Sequence, residues 1–183
     1  MRKYFTLGLV FTLIMGACNK KDQTQEIHVD EQCVIDIPST LVKTTELHPE
    51  AVVQFKDANQ ELYVIVIKEP INEVNQFFEE NQNSLGDQFT KDFKGYADLT
   101  YLALLQKAKV DTPILLEAKN INGANAYVVN FDASVSGLDV FYNFAAIKGK
   151  TDYYQILVWT LNTKKEKHKV EMDKIINSFR MLE

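Results

Sequence analysis

From residue 33 onward the apolar positions follow two periods, one of two residues and one of about 3.6. Cys33, Ile35 and Ile37 alternate along a short run that stops at Pro38, which predicts a strand with these three on one face. Residues 51–56 and 61–68 read as a hairpin around Asp57-Ala58-Asn59-Gln60. In its second arm Leu62, Val64 and Val66 point one way and Tyr63, Ile65 and Ile67 the other. Both faces are apolar, so this strand is expected at the centre of a sheet covered on both sides. After Pro70 the period changes: Ile71, Val74, Phe77 and Phe78 form a helical stripe. Residues 81–86 break it. A second helix is expected from Asp87 to about Lys107, with Phe89, Phe93, Tyr96, Ala97, Thr100 and Leu104 on one face. Gly95 weakens the middle of that helix by about 1 kcal/mol relative to Ala.

Four strands follow: residues 113–121, 124–135, 138–148 and 152–161. Asn122-Gly123 is a strong hairpin signal, Ser136-Gly137 marks the next turn and Gly149 the third. Alternation runs through Tyr127, Val129 and Phe131, through Val140, Tyr142 and Phe144, and through Ile156, Val158 and Thr160. Strands joined by such short turns are antiparallel neighbours. The chain closes with a helix from Lys164 to about Met181, with Met172, Ile175, Ile176 and Phe179 as its stripe. Thr163 and Glu166 have the spacing of a capping box. The expectation is one α+β domain over residues 32–183, an antiparallel sheet of about six or seven strands flanked by helices.

The N-terminus belongs to a different pattern. Arg2 and Lys3 precede an uncharged, mostly apolar run from Tyr4 to Met15, and Gly16 and Ala17 are small. That is the three-part layout of a secretory signal, and the run is too short to span a bilayer. Ile14-Met15-Gly16-Ala17-Cys18 resembles the lipobox of bacterial lipoproteins. The resemblance implies cleavage before Cys18, a diacylglyceryl thioether on its sulfur and N-acylation of the new terminus. No other cofactor is expected. The following residues, 19–31, are polar and aperiodic and read as a flexible tether. The domain plan is therefore a signal peptide over 1–17, a lipidated Cys18 with its tether over 18–31, and the folded domain from 32.

Composition sharpens this plan. The chain has 183 residues, 46% hydrophobic and 25% charged, with 20 Lys and Arg against 25 Asp and Glu. These figures fit one globular domain and exclude a disordered, collagen-like or multi-span chain. Removing 17 residues leaves 166, and without Arg2 and Lys3 the net charge falls from −5 to −7. An acidic domain argues against a nucleic-acid partner and against attraction to an anionic membrane surface. The lipid alone would hold the protein to the membrane, each buried CH₂ contributing about 0.8 kcal/mol. Asn19 is not the Asp that retains lipoproteins in some inner membranes, which favours the outer membrane where the cell has one. With Cys18 committed to lipid, Cys33 has no partner in the chain; its alternating run favours a buried hydrophobe, the alternatives being a disulfide between chains or a reactive thiol.

Residues 32–183 also resemble the PsbP-like sandwich fold, which Ran-binding Mog proteins and DcrB-type lipoproteins share. The resemblance rests on Val34-Ile35-Asp36-Ile37-Pro38, and more on Tyr154-Gln155-Ile156-Leu157-Val158-Trp159-Thr160 followed by Ile175-Ile176-Asn177-Ser178-Phe179-Arg180. These marks specify packing. No functional residue carries over with them, and such folds host unrelated functions.

Chemistry is sparse. His28, Asp30, Glu31 and Cys33 have metal-ligand atoms, but they straddle the tether and the first strand, and a solvated linker beside a buried thiol accounts for them. Glu46-Leu47-His48-Pro49-Glu50 reads as a polar loop, and His168 lies among Lys164, Lys165, Lys167 and Lys169, which repel cations. Gly-x-Ser-x-Gly and glycine-rich phosphate loops are absent. Glu79 and Glu80 read as a solvated helix face. Phe141, Tyr142, Tyr153, Tyr154 and Trp159 read as core, the alternative being the lining of a ligand groove between sheet and helix, with Tyr153 and Tyr154 on opposite faces so that only one is buried. Lys148 and Lys150 stand about 33 Å from the lysines at 164–169 along the last strand, too far for one anion patch. The functional expectation is a lipid-anchored envelope protein with a non-enzymatic domain that binds an envelope component, a protein among them, or supports an assembly. The alternative is a small-ligand or metal carrier, or an enzyme with an unfamiliar site, and a deep pocket with convergent polar groups would favour it.

Overall fold

The computed structural model describes residues 23–110 and 114–182. The expected signal peptide, the lipobox, Cys18 and the start of the tether lie outside them, as does Pro113. Among the described residues the chain forms ten strands and four α-helices. Seven strands make one antiparallel sheet: β3 (Val42–Lys43), β4 (Ala51–Asp57), β5 (Leu62–Pro70), β6 (Glu117–Ile121), β7 (Ala124–Val135), β8 (Leu138–Lys148) and β9 (Asp152–Leu161). Their order is β3-β4-β5-β9-β8-β7-β6. The meander from β6 to β9 therefore lies beside the β4–β5 hairpin, and β9 joins the two through the register Val64↔Val158 and Ile65↔Leu157.

Both faces of this sheet are buried. On one face Val64, Val66, Ala145, Ile147, Tyr154, Ile156 and Val158 pack under α4 (Lys165–Asn177) and a small second sheet. On the other, Val129, Phe131, Tyr142, Phe144, Ala146 and Tyr153 pack under α1 (Ile71–Glu80) and α3 (Phe93–Lys107). A four-residue helix, α2 (Gln82–Leu85), and a 3₁₀ turn at Gly86–Gln88 lie between α1 and α3. The two-sided cover explains why Tyr153 and Tyr154 are both buried, at 4% and 0% exposure. They do point to opposite faces, but each face has its own core, so the expectation that only one is buried fails.

The second sheet runs β1 (Thr24–His28), β2 (Cys33–Pro38), β10 (Arg180–Met181), all antiparallel. β1 corrects the expected tether over 19–31, since the folded domain begins several residues before 32. Ile27 is the single apolar residue of Thr24–His28, too little to show a period, yet it pairs with Ile35 and packs against the core. The Gln25 side chain donates to the carbonyls of Pro38 and Leu41 at 3.2 and 2.8 Å, fixing the start of the strand.

Two helix boundaries also differ from the sequence reading. α3 starts at Phe93, because Asp92 is its N-cap and accepts from the Gly95 N–H at 3.0 Å. The last helix ends at Asn177 rather than Met181. Beyond it the Ser178 hydroxyl accepts from the Asp36 N–H at 2.8 Å, and Arg180 pairs with Asp36 at 3.1 Å and with Glu26, so the chain turns into β10. The proposed capping box is not formed. Asn162–Lys164 is a 3₁₀ turn, Lys164 holds the N-cap position without a side-chain bond, and Glu166 pairs with Lys169 at 2.5 Å instead.

The two hairpin turns read from sequence are as expected. Asn122 and Gly123 have φ of 49° and 91°, and Ser136 and Gly137 have 52° and 83°, the left-handed pairs that match strand twist.

Gly95 has a different role. A Cβ there would sit 1.7 Å from the Thr90 carbonyl oxygen, so the residue is required for close approach of the α2–α3 connection. Gly95→Ala should therefore lower stability by about 2 kcal/mol in urea denaturation, the range for forced overpacking. A gain of about 1 kcal/mol, the ordinary helix-propensity effect, would contradict the packing.

Candidate functional site

A pocket of about 540 Å³ opens between the sheet and the α1–α3 layer. Its volume is within the range of small-molecule sites. Its floor comes from alternate residues of three strands that face the same way: Ile65, Ile67 and Glu69 of β5, Gln155 and Leu157 of β9, and Phe144 of β8. Registers Ile65↔Leu157 and Phe144↔Leu157 set the apolar floor side chains in a row across the sheet. Val74 and Phe77 of α1 form one wall and Leu99, Thr100, Ala103 and Leu104 of α3 the other. His48 and Glu50, just before β4, complete the rim.

The polar end is built around Glu69. Its Oε2 accepts from the Tyr96 hydroxyl and from the Gln155 side-chain amide, both at 2.6 Å. Burial, with the Glu69 carboxylate beside it, pushes the Tyr96 phenol well above its ordinary pKa, so it stays a neutral donor. Thr100 spends its hydroxyl on the helix carbonyls of Tyr96 and Ala97 at 3.0 and 3.2 Å. The two hydroxyls on the pocket wall are thus both donors within the fold: Thr100 faces only backbone carbonyls, and Tyr96, whose partner is the Glu69 carboxylate, is held as the neutral phenol.

A second polar cluster lies on the opposite face, where the β1–β2 turn meets the central sheet. Asp30 Oδ1 accepts from the Gln32 and Cys33 N–H groups at 2.7 and 3.0 Å. Its Oδ2 accepts from Lys68 Nζ at 3.1 Å and from the Tyr154 hydroxyl at 2.9 Å. Burial works to raise the carboxyl pKa, but the Gln32, Lys68 and Tyr154 hydrogen bonds outweigh it and hold Asp30 below its ordinary value. The Cys33 thiol, with the residue fully buried, is pushed up to about 12, chiefly by desolvation. It is a neutral thiol with no reactive character, as its alternating run implied. This cluster fastens the small sheet to β5 and β9.

The other residues singled out in the sequence are dispersed. His28 is exposed beside Glu26. His48 stands on the pocket rim. His168 is on the buried face of α4, where its Nε2–H donates to the Gln60 carbonyl at 3.0 Å and desolvation lowers its pKa. Among the described residues no three His, Cys, Asp or Glu side chains gather to hold a metal. Lys165 pairs with Asp132 at 2.7 Å and lies over the Phe141 ring, and Lys164 pairs with Glu61 at 3.6 Å. Glu79 and Glu80 are exposed. Tyr142 and Trp159 continue an aromatic run with Tyr63, stacked on Trp159 at 5.3 Å, outside the pocket lining. Apart from His48 and Glu50, the pocket lining consists of residues that look like ordinary strand and helix positions in the sequence. Glu69, an acid just before Pro70 on an otherwise apolar strand face, was the available signal.

An antiparallel sheet with helical layers on both faces and the β-meander described above defines a PsbP-like α+β fold. The solved structure of cyanobacterial PsbP, CyanoP, from Synechocystis sp. PCC 6803 is similar with a TM-score of 0.60 at 15% identity, covering 96% of this chain and 99% of that one. LpqN of Mycobacterium tuberculosis, described as involved in cell envelope biogenesis, is similar with a TM-score of 0.54 at 12% identity, covering 88% and 91%. No protein-family model and no curated protein matches the sequence. Among the described residues no helix is long and apolar enough to cross a membrane.

The Asp30 cluster gives a pH prediction. Because folding lowers this pKa, its stabilisation is present above the unfolded carboxyl value near 3.9 and is lost as pH falls through the folded value. Asp30→Asn should lower stability at pH 7 by about 1–3 kcal/mol, the cost of weakening charge-assisted hydrogen bonds, and should flatten the acid limb of the stability–pH curve. An unchanged acid limb in urea denaturation between about pH 6 and pH 3 would contradict the assignment.

Proposed function

We propose that this chain is a lipid-anchored protein of the bacterial envelope, held through Cys18, whose domain binds a small molecule and does not catalyse its turnover. The observation that carries the binding half is the α1–α3 pocket, with an apolar floor, a fixed carboxylate at one end and both wall hydroxyls committed to the fold. That combination favours the small-ligand carrier over the assembly-support reading. The anchoring half rests on the lipobox-like Ile14–Cys18 after a charged and then apolar leader. The envelope role described for LpqN is consistent with this reading.

Two measurements test the two halves. Cys18→Ala should move the protein from the membrane fraction to the soluble envelope fraction, and a variant that stays membrane-bound with its signal removed would contradict the anchor. In a thermal-shift screen of apolar and amphipathic compounds, binders should raise the Tm of the full-length protein. They should fail to raise that of Ala103→Trp, which puts bulk at the exposed rim of the pocket without touching the core. No stabilising compound, or equal shifts in both proteins, would contradict pocket binding.

A further inference from the structure

The pocket has two unlike ends, and this asymmetry restricts what fits it. Glu69, Glu50 and Glu73 all belong to one end. Glu69 is on β5, Glu50 immediately precedes Ala51, which pairs with Ile67, and Glu73 is in the first turn of α1, directly after β5. Lys107, the lysine of the lining, is eleven residues along α3 from Tyr96, about 16 Å at ~1.5 Å per residue. Tyr96 is the residue that touches Glu69. The Glu69 end therefore carries carboxylates with no lysine or arginine of the lining beside them, His48 meeting Glu50 only by accepting its backbone N–H at Nδ1, and among the described residues none of Glu69, Glu50 and Glu73 forms an ion pair.

Glu69 itself is held in place. Tyr96 and Gln155 both bond the same oxygen, Oε2, which orients the carboxylate and leaves Oε1 for another donor. From there the floor runs through Ile67 to Ile65, Leu157 and Phe144. Four strand residues from Glu69 to Ile65 span about 13 Å at ~3.3 Å each. The walls along this length are Val74, Phe77, Leu99 and Leu104. A partly buried carboxylate without a counter-charge is costly, and a ligand cation would offset that cost.

We propose that the ligand is an amphipathic amine: an apolar body of about 13 Å or less lying on Ile65, Ile67 and Leu157, with its ammonium group donating to Glu69 Oε1. This rests on the pocket-binding reading and adds the charge of the ligand. The apolar floor supplies the area buried, and Glu69 supplies orientation and discrimination against anions. The helix-end lysine stands too far along α3 to compete for the same carboxylate.

The test uses three matched probes, 4-phenylbutylamine, 4-phenylbutanol and 4-phenylbutyrate. Each is titrated calorimetrically into the full-length protein in zwitterionic nanodiscs, with empty nanodiscs as the blank. The amine should bind at least about tenfold more tightly than the alcohol, and the butyrate should bind more weakly than either. Glu69→Gln should bring the amine to the affinity of the alcohol while leaving the alcohol unchanged. Glu73→Gln, on the exposed first turn of α1, should weaken the amine by less. Equal binding of amine and alcohol, or binding of the butyrate as tightly as the alcohol or more so, would overturn the amine proposal and leave the pocket reading intact. Binding of the amine that persists undiminished in Ala103→Trp, or binding of none of the three, would overturn both. If Glu69→Gln fails to fold, Gln155→Leu, which removes one of the two donors to Oε2 and keeps the carboxylate and its Tyr96 bond, should retain amine selectivity, and its loss there would count against the proposal.

Discussion

The structure depends on one constraint: the seven-stranded sheet is apolar on both faces and has to be covered twice. Val64, Val66, Ile156 and Val158 on one face and Phe131, Tyr142, Phe144 and Tyr153 on the other cannot be left in water. Each large side chain so exposed would cost about 1.5–3 kcal/mol. The two covers are built differently. On the first face α4 lays Met172, Ile175 and Ile176 onto the sheet, Phe179 fills in beyond its end, and the small sheet closes the rest; all four side chains are buried to 4% exposure or less. On the second face α1 and α3 approach from either side of a gap, and that gap is the pocket.

The closed face carries the fold's locks. Asp30 gathers two backbone amides, a lysine and a tyrosine at one carboxylate, and so ties the β1–β2 turn to the central strands. Ser178 and Arg180 do the same for the C-terminal end, through Asp36. The open face carries fewer such links, and its main polar bond, Tyr96 to Glu69, faces the pocket itself. A binding layer placed over a sheet locked from behind can adjust to a ligand without disturbing the strands that form its floor.

Much of this architecture is legible in the residues. The β4–β5 hairpin and the meander follow from period-two alternation, and Asn122-Gly123 and Ser136-Gly137 fix their turns because both positions adopt positive φ. Where the reading failed, local pattern was outweighed by a distant partner. Thr24–His28 has one apolar residue and becomes a strand because β2 offers it a free edge. α4 stops early because Ser178 and Arg180 are captured by Asp36 from the other end of the chain. α3 begins late because Asp92 caps it and Thr90 lies against Gly95. The pocket was hidden for the same reason. Glu69, Tyr96 and Gln155 are 27 and 59 residues apart in sequence, only Glu69 stands out in its own segment, and the β5–β9 register and the α3 packing bring them together.

Amide hydrogen exchange on the full-length protein, with and without 4-phenylbutylamine, tests the central claim that the α1–α3 face is the open one and the α4 face the locked one. Without the amine, α1 and α3 should exchange faster than α4 and the central strands, and the amine should slow exchange in α1, α3 and the Ile65–Glu69 stretch while leaving α4 unchanged. Faster exchange in α4 than in α1 and α3, or protection by the amine confined to the α4 face, would contradict it.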